Sequence, residues 1–161
     1  MFHIGIDWDD DHHDIFVVDD AKRQVAEFRV KADREGIGHL RDRLHQLSQE
    51  ADGKEHIAIG IETSRLLLVD LLLNDGYSVY PINPKAIDRY RDRYTASQSK
   101  SDRFDAEVIA NALRTDRERF RAIQPDSPLV RELRILVRDQ RRLIRTKTMF
   151  LNQLQAALKD Y

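Results

Sequence analysis

Two short apolar runs of this 161-residue chain each end in a carboxylate, and this feature constrains the fold more than any other. Residues 2–7 alternate apolar side chains and end at Asp7, whereas residues 57–62 are continuously apolar and end at Glu62. Alternation of this kind predicts a β-strand, and a continuous short run is typical of a strand buried on both faces. A glutamate that closes such a run is expected to be partly buried.

The remaining patterns of the first 82 residues predict an ordered series of strands and helices. Residues 15–18 and 25–30 are β-branched or aromatic runs separated by a turn at residues 19–22, which predicts a three-stranded antiparallel meander. From Asp33, a predicted N-cap, the apolar spacing becomes helical and ends before Gly53. A helix over residues 66–74, capped by Thr63 or Ser64 and stopped by Gly76, precedes a strand over residues 78–82.

The second half of the chain is predicted to be mainly helical. Pro84 opens a helix, and residues 91–100 are polar and are interpreted as a mobile segment. Residues 102–113 have helical spacing, Pro125 and Pro128 mark a hinge, and residues 129–161 form one long amphipathic helix. Three strands followed by alternating helices and strands predict an α/β fold, in which a mixed sheet carries helices on its faces and a helical arm follows.

Composition and missing motifs exclude several classes of protein. The chain has no cysteine, which excludes disulfide frameworks and thiolate metal sites and fits a reducing cytoplasm. No apolar run is long enough to span a bilayer, no secretory signal opens the chain, and neither a P-loop nor a Gly-x-Gly-x-x-Gly motif is present. The sequence therefore predicts neither a membrane protein nor a nucleotide-binding protein.

The net charge of −1 conceals two oppositely charged halves. Residues 1–80 carry 9 basic and 17 acidic groups, a net charge of −8, whereas residues 81–161 carry 18 basic and 11 acidic groups, a net charge of +7. Such a division is typical of cation binding in one region and polyanion binding in the other. Solvated surfaces of opposite charge are the simpler interpretation of the same numbers.

Four acids are candidate metal ligands at the carboxyl edge of the predicted sheet. Asp7 and Glu62 end strands that the topology places side by side, and Asp102 and Asp105 share one face of a helix. Four converging carboxylates need cations between them, and hard oxygen donors select Mg²⁺ or Mn²⁺. Three of these acids also have a simpler structural interpretation. Asp102 is suited to cap the helix N-terminus and Asp105 to occupy its third position, where a carboxylate interacts favourably with the helix dipole, and Asp7 is suited to a turn at the end of a strand. Residues 9–14, rich in Asp and His, are interpreted as a solvated hairpin tip.

Several strings of residues resemble the N-terminal half of a DEDD transposase of the insertion sequence 110 family. They are residues 5–7, residues 60–64, residues 82–84 with Tyr90 and Arg91, residues 113–116, residues 152–154 and above all Lys-Ser-Asp-Arg-Phe-Asp-Ala at residues 100–106. The resemblance implies a RuvC-like, ribonuclease H-like fold in which Asp7, Glu62, Asp102 and Asp105 are catalytic and bind Mg²⁺. It also implies RNA-guided excision and integration of DNA by an oligomer.

The resemblance implies a second catalytic part, a C-terminal domain with a nucleophilic serine, which this chain does not contain. Ser64, Ser99 and Ser101 do not match that serine, and residues 62–65 depart from the family's commoner pattern, in which glycine follows the acid and its two small neighbours. The expected division is a RuvC-like domain at residues 1–115 and a hinge with a basic, dimerising helical arm at residues 116–161. The expected location is the bacterial cytoplasm, on the nucleoid during action.

Basic residues form two candidate nucleic-acid surfaces. One surrounds the proposed metal site, where Tyr90 and Tyr94 are rings suited to stacking on unpaired bases, and the other follows one stripe of the long helix beside an apolar seam. The surface near the metal site comprises Arg89, Arg91, Arg93, Lys100 and Arg103. The surface on the long helix comprises Arg131, Arg134, Arg138, Arg141, Arg142, Arg145 and Lys147. A solvated helix whose arginines cover apolar neighbours is the alternative for the second.

The sequence thus favours the metal-binding and nucleic-acid-binding catalytic domain of a DNA transposase, with DNA, a structured guide RNA and a second copy of the chain as partners. Two alternatives remain open at this point. One is a stand-alone Mg²⁺-dependent nuclease that acts on branched DNA or RNA hybrids. The other is a noncatalytic RNA-binding and dimerising module.

Overall fold

The structure, a computed structural model, describes residues 1–62, 67–94, 102–125 and 127–159. Its strands are β1 (Phe2–Trp8), β2 (His12–Asp19), β3 (Gln24–Lys31), β4 (Ile57–Ile61) and β5 (Ser78–Pro81). Its α-helices are α1 (Arg34–Glu50), α2 (Leu67–Asn74), α3 (Pro84–Tyr94), α4 (Asp102–Asp116) and α5 (Pro128–Lys159). The chain divides into two compact units, Met1–Ile123 and Gln124–Tyr161.

The five strands form one mixed sheet in the order β3-β2-β1-β4-β5. The first three strands are an antiparallel meander, whereas β4 is parallel to β1 and β5 is parallel to β4. This confirms the predicted topology. Because β1 and β4 are parallel neighbours, their carboxyl ends lie at the same edge of the sheet.

The face of the sheet that carries Ile4 and Ile6 is covered by α1 and α2. These isoleucines form one fully buried cluster with Leu40 and Leu44 of α1, and the cluster continues to Leu72 of α2. Burial of each such side chain contributes about 1.5–3 kcal/mol. The first turn of α1 is fixed as predicted, since the Asp33 side chain accepts a hydrogen bond of 2.8 Å from the Gly36 amide.

The opposite face of the sheet is covered by α4, against which α3 packs. Phe16 and Val18 of β2 contact Ala106 and Ala110 of α4 in one buried cluster. A neighbouring buried cluster joins the two helices through side chains that include Ile87 of α3 and Ile109 of α4. The result is a three-layer α/β/α unit.

Several elements extend beyond their predicted limits, among them β2 and α3. β2 begins at His12 rather than residue 15, because His12 pairs with β3 and His13 and Asp14 pair with both β1 and β3, and polar side chains are tolerated in such a strand. α3 continues to Tyr94, so residues 91–94 are helical rather than part of a mobile segment. The predicted caps Thr63 and Ser64, and residues 95–100 of the predicted mobile segment, lie outside the described residues.

The second unit contains α5, whose 32 residues span about 48 Å at 1.5 Å per residue. Its large apolar side chains are exposed, including Leu129, Leu136, Leu143 and Phe150 at intervals of seven residues. Within the part of the chain that the structure describes, no helix combines the length and apolar character needed to cross a membrane.

Candidate active site

Asp7 and Glu62 occupy neighbouring positions at the carboxyl ends of two adjacent parallel strands. Ile6 of β1 is in register with Ile61 of β4, and each acid is the next residue along its chain. Neighbouring strands lie about 4.8 Å apart, so the backbones at the two acids are close neighbours. Both side chains are half-buried. The strand register therefore brings these two predicted site residues together.

A pair of glycines on the same strands lets α4 approach the sheet closely. Gly5 is in register with Gly60, and each lies two residues before its acid. A Cβ atom added at Gly5 would lie 2.0 Å from the carbonyl oxygen of Ala106, and one at Gly60 would lie 2.7 Å from the side chain of Ile109. At Gly5, where the neighbouring atoms belong to the backbone of α4, only glycine permits this approach. The repeated string Ile-Gly-Ile-acid, at residues 4–7 and 59–62, is its signal in the sequence.

Helix α4 runs antiparallel to β1, which directs its first turn toward the carboxyl edge of the sheet. Arg117, directly after α4, contacts the sulfur atom of Met1 beside the start of β1. Further along β1, Gly5 lies against Ala106. The first turn of α4, residues 102–105, lies beyond this contact in the same direction. Both predicted acids of α4 lie in that turn.

Asp105 is held by an arginine of α3. Its Oδ1 atom accepts hydrogen bonds from Nε of Arg91 at 3.0 Å and from Nη2 at 2.5 Å. Nη1 of Arg91 donates to Asp88 at 3.1 Å. The Asp105 side chain is 23% exposed, which leaves the pair partly shielded from water. Asp102 is the first residue of α4, but its side chain lies outside the described residues.

The four predicted metal ligands, Asp7, Glu62, Asp102 and Asp105, fit Mg²⁺ or Mn²⁺ because all of them are carboxylates. Among the side chains that the structure describes, no three His, Asp or Glu groups lie close enough together to hold a metal ion. The four-acid metal site therefore stays a prediction, supported by the backbone positions of Asp7 and Glu62 and by the direction of α4.

An acid that was not predicted as a ligand lies beside Asp7. Asp14 of β2 is in register with Asp7 across the β1–β2 ladder, and its side chain is buried. It accepts hydrogen bonds from Nε and Nη2 of Arg29 at 2.9 and 2.7 Å, and His12 lies 3.6 Å away. Cross-strand partners project from the same face of a sheet. The Asp14–Arg29 pair is thus part of the polar surroundings of Asp7.

The interpretation of residues 9–14 as a solvated hairpin tip is correct for residues 9–11, which are exposed, and wrong for His13 and Asp14, which are buried. Burial lowers the pKa of His13 below its usual value. No apolar periodicity marks these positions, because the pairing of β2 with two neighbours, rather than side-chain hydrophobicity, places them in the sheet.

The predicted nucleic-acid contacts are only partly described. Arg89 is exposed on α3, Arg91 is committed to the acids described above, and Arg93 lies in α3. Arg103 lies in α4, while Lys100 falls outside the described residues. Five of the predicted basic residues have exposed side chains on α5, namely Arg138, Arg141, Arg142, Arg145 and Lys147. Arg131 and Arg134 belong to the same helix. Their contacts with nucleic acid stay a prediction.

Tyr90 is a packing residue rather than an open stacking surface, contrary to its interpretation from sequence. Its hydroxyl donates a hydrogen bond of 2.7 Å to Asp116. Its ring lies 6.3 Å from the ring of Phe120 and belongs to the α3–α4 cluster. The contact fastens α3 to the end of α4.

A cleft of about 410 Å³ lies at the other end of the sheet and contains none of the predicted site residues. His3, buried in its wall, bonds Asp20 at 2.9 Å. A hydrogen bond from the N-terminal ammonium, together with the one from His3, lowers the pKa of Asp20 to about 2. Burial lowers the pKa of His3. These contacts tie the start of β1 to the end of β2.

A family model described as a transposase, labelled DEDD and IS110, matches residues 4–161. The chain belongs to the IS110 family of DEDD transposases. It is 39% identical over 158 residues to the "Mini-circle putative transposase for IS117" of Streptomyces coelicolor, covering 98% of this chain and 37% of that relative. It is 35% identical over 159 residues to the "Putative transposase y4uE" of Sinorhizobium fredii, covering 99% of this chain and 44% of that relative. This IS110-family chain thus spans less than half the length of these relatives.

The solved structure of T. thermophilus RuvC in complex with a Holliday junction substrate has the same fold as the IS110-family chain. The TM-score is 0.53 at 16% identity, and the match covers 76% of this chain and 99% of that chain. The likeness confirms the predicted RuvC-like, ribonuclease H-like fold. At this identity it carries no information about substrate or residue roles.

Proposed function

We propose that this IS110-family chain is the divalent-metal-binding, strand-cleaving domain of a DNA transposase. The observation that carries the proposal is the register of β1 and β4, which makes Asp7 and Glu62 neighbours at the edge toward which α4 directs its first turn. Bound Mg²⁺ or Mn²⁺ supplies Lewis-acid activation and charge stabilisation for cleavage of a phosphodiester. The chain's own residues hold and orient the cation and the nucleic acid.

The four acids divide between the sheet and a helix packed on it. Asp7 and Glu62 follow directly on the paired core of the sheet, whereas Asp102 and Asp105 belong to a helix seated on that sheet through Gly5. Acids on such elements are held more accurately than acids on loops. This arrangement supports metal binding by Asp7, Glu62, Asp102 and Asp105 together.

The proposed partners are DNA and a structured guide RNA, bound through phosphates by the basic residues of α3, α4 and α5. Contacts of this kind position a nucleic acid without reading its sequence. We also propose that α5 pairs with a second copy of the chain, because its exposed Leu129, Leu136, Leu143 and Phe150 repeat every seven residues, the spacing of one of the two apolar positions in a coiled-coil heptad.

Cleavage of a branched DNA substrate in Mg²⁺ tests the strand-cleaving role that the proposal assigns to the four acids. We expect strand cuts by the chain, or by a longer protein that contains it, and we expect Asp7→Asn and Glu62→Gln to abolish them while DNA binding persists. Cuts that persist in both variants at the original rate would contradict it. A chain that binds RNA and self-associates, but binds no Mn²⁺, would instead support the noncatalytic module.

A further inference from the structure

We propose that Arg91 is a positioning residue of the metal site: it fixes one oxygen of Asp105 and so presents the other oxygen to the divalent cation. The inference rests on the proposed function, because it assigns a role to a neighbour of a proposed metal ligand. It differs from the sequence interpretation, in which Arg91 contacts phosphates.

The hydrogen-bond pattern distinguishes this ion pair from others of the same composition. Nε and Nη2 of Arg91 both donate to Oδ1 of Asp105, at 3.0 and 2.5 Å. In two other pairs the same two nitrogens bond to different carboxylate oxygens, as in the usual bidentate arrangement. These pairs are Arg29–Asp14 and Arg41–Asp75. Arg91 thus grips Asp105 at a single oxygen, and Oδ2 takes no part in the pair.

Helix packing fixes the positions of both partners. Ile87, one turn before Arg91 on α3, is buried with Val108 and Ile109 of α4, which lie about one turn after Asp105. The exposed fractions of the Arg91 and Asp105 side chains are 25% and 23%. Since both side chains extend from packed helices and are largely shielded from water, the hydrogen bonds restrict the rotamer of Asp105.

A guanidinium beside a cation site would also repel the cation, and Asp88 counters that effect. Nη1 of Arg91 donates to Asp88 at 3.1 Å, so a second carboxylate neutralises part of the charge of Arg91. We therefore expect orientation to be the larger effect and repulsion the smaller one. Partners that hydrogen-bond to metal ligands are typically worth 10–100-fold in metal affinity.

The variants Arg91→Ala, Arg91→Gln and Arg91→Lys separate positioning from repulsion. We expect Arg91→Ala to weaken Mn²⁺ binding by about 10–100-fold. Arg91→Lys, which retains a donor and the charge, should recover part of the affinity. Asp88→Asn leaves the Arg91 charge less compensated and should weaken binding severalfold.

The measurement is a calorimetric titration of the full chain with Mn²⁺, with thermal unfolding of every variant. The matched control is Arg41→Ala, which removes a similar ion pair from α1 and should leave the affinity unchanged. Unchanged or tighter Mn²⁺ binding in Arg91→Ala, even with a lower melting temperature, would overturn the role of Arg91 and leave the proposed function standing. If Arg91→Ala does not fold, Arg91→Gln gives the same comparison. Absence of Mn²⁺ binding by the unmodified chain would instead overturn the proposed function.

Discussion

Gly5 of β1 lies directly against Ala106 of α4, so closely that a Cβ atom on the glycine would stand 2.0 Å from the Ala106 carbonyl oxygen. The contact seats α4 on the middle of β1, two residues before Asp7. The contact therefore fixes the position of α4, which carries the proposed ligands Asp102 and Asp105, relative to β1, which carries the proposed ligand Asp7.

The first prediction concerns this contact. Gly5→Ala must displace the α4 backbone, because the clash involves backbone atoms and no flexible side chain can yield. We expect a loss of unfolding free energy at or above the upper end of the usual range of about 1–3 kcal/mol for overpacking. Urea denaturation measures the loss, and Mn²⁺ affinity should fall with it.

Gly38→Ala is the matched control for that substitution. Gly38 lies within α1, and a Cβ atom there would meet nothing within 4 Å. Alanine at this position should stabilise the chain by about 0.5–1 kcal/mol, since glycine is a poor helix former. Equal effects of the two substitutions would show that the close approach of α4 does not matter.

The second prediction concerns pH. Burial lowers the pKa values of His3 and His13, so each takes up its proton more readily in the unfolded chain. Stability should therefore fall as the pH drops below about 6.5, the value for unfolded histidine, by at most about 1.4 kcal/mol per pH unit for each residue.

Urea denaturation at pH 7.5 and pH 5.5 checks this expectation. The decrease in stability between the two values should be smaller in His13→Phe, which removes one of the two groups, than in the unmodified chain. His39→Gln, at a more accessible position on α1, should retain the full decrease. An undiminished pH dependence in His13→Phe would contradict the assignment.

The third prediction concerns the exposed apolar repeat of α5. Leu136→Glu with Leu143→Glu should abolish self-association, because both side chains belong to the seven-residue repeat. Sedimentation at several concentrations measures the mass. Leu67→Glu is the control, since Leu67 is 70% exposed, like Leu143, but lies on α2. A monomer at every concentration in the unmodified chain would refute pairing through α5.

The fourth prediction concerns phosphate binding by α5. Replacement of Arg138, Arg141, Arg142 and Arg145 by alanine should weaken DNA binding uniformly across sequences. On duplex DNA, the slope of log affinity against log salt should decrease by about 0.9 for each phosphate that the protein no longer neutralises. Arg23→Ala, an exposed arginine between β2 and β3, should leave the slope unchanged. Equal slopes before and after the α5 replacements would show that these arginines do not contact DNA phosphates.

The sequence predicts the sheet well because apolar spacing reports burial directly. The alternation at residues 2–7 and the continuous run at residues 57–62 correspond to β1 and β4, and their parallel pairing follows from the order of elements. The N-cap at Asp33 is equally predictable, since its side chain bonds a local amide.

Contacts between elements distant in the sequence could not be predicted in this way. The Arg91–Asp105 bonds and the packing of Tyr90 on Phe120 depend on how α3 meets α4 and the residues after it. The burial of Asp14 beside Arg29 depends on the register of β2 with β1 and β3. Charged and aromatic residues at such places resemble solvated or ligand-binding residues in sequence. Only tertiary structure separates these possibilities.

The most direct test of the shared metal site is a calorimetric Mn²⁺ titration of Asp7→Asn and Glu62→Gln beside Asp9→Asn and Asp11→Asn. All four remove one negative charge from the acidic half of the chain, but the last two lie in the exposed turn after β1. We predict that the first two substitutions eliminate Mn²⁺ binding and that the turn substitutions leave it unchanged. Binding that survives in Asp7→Asn and Glu62→Gln, or that falls equally in all four, would contradict a metal site shared by neighbouring strand ends.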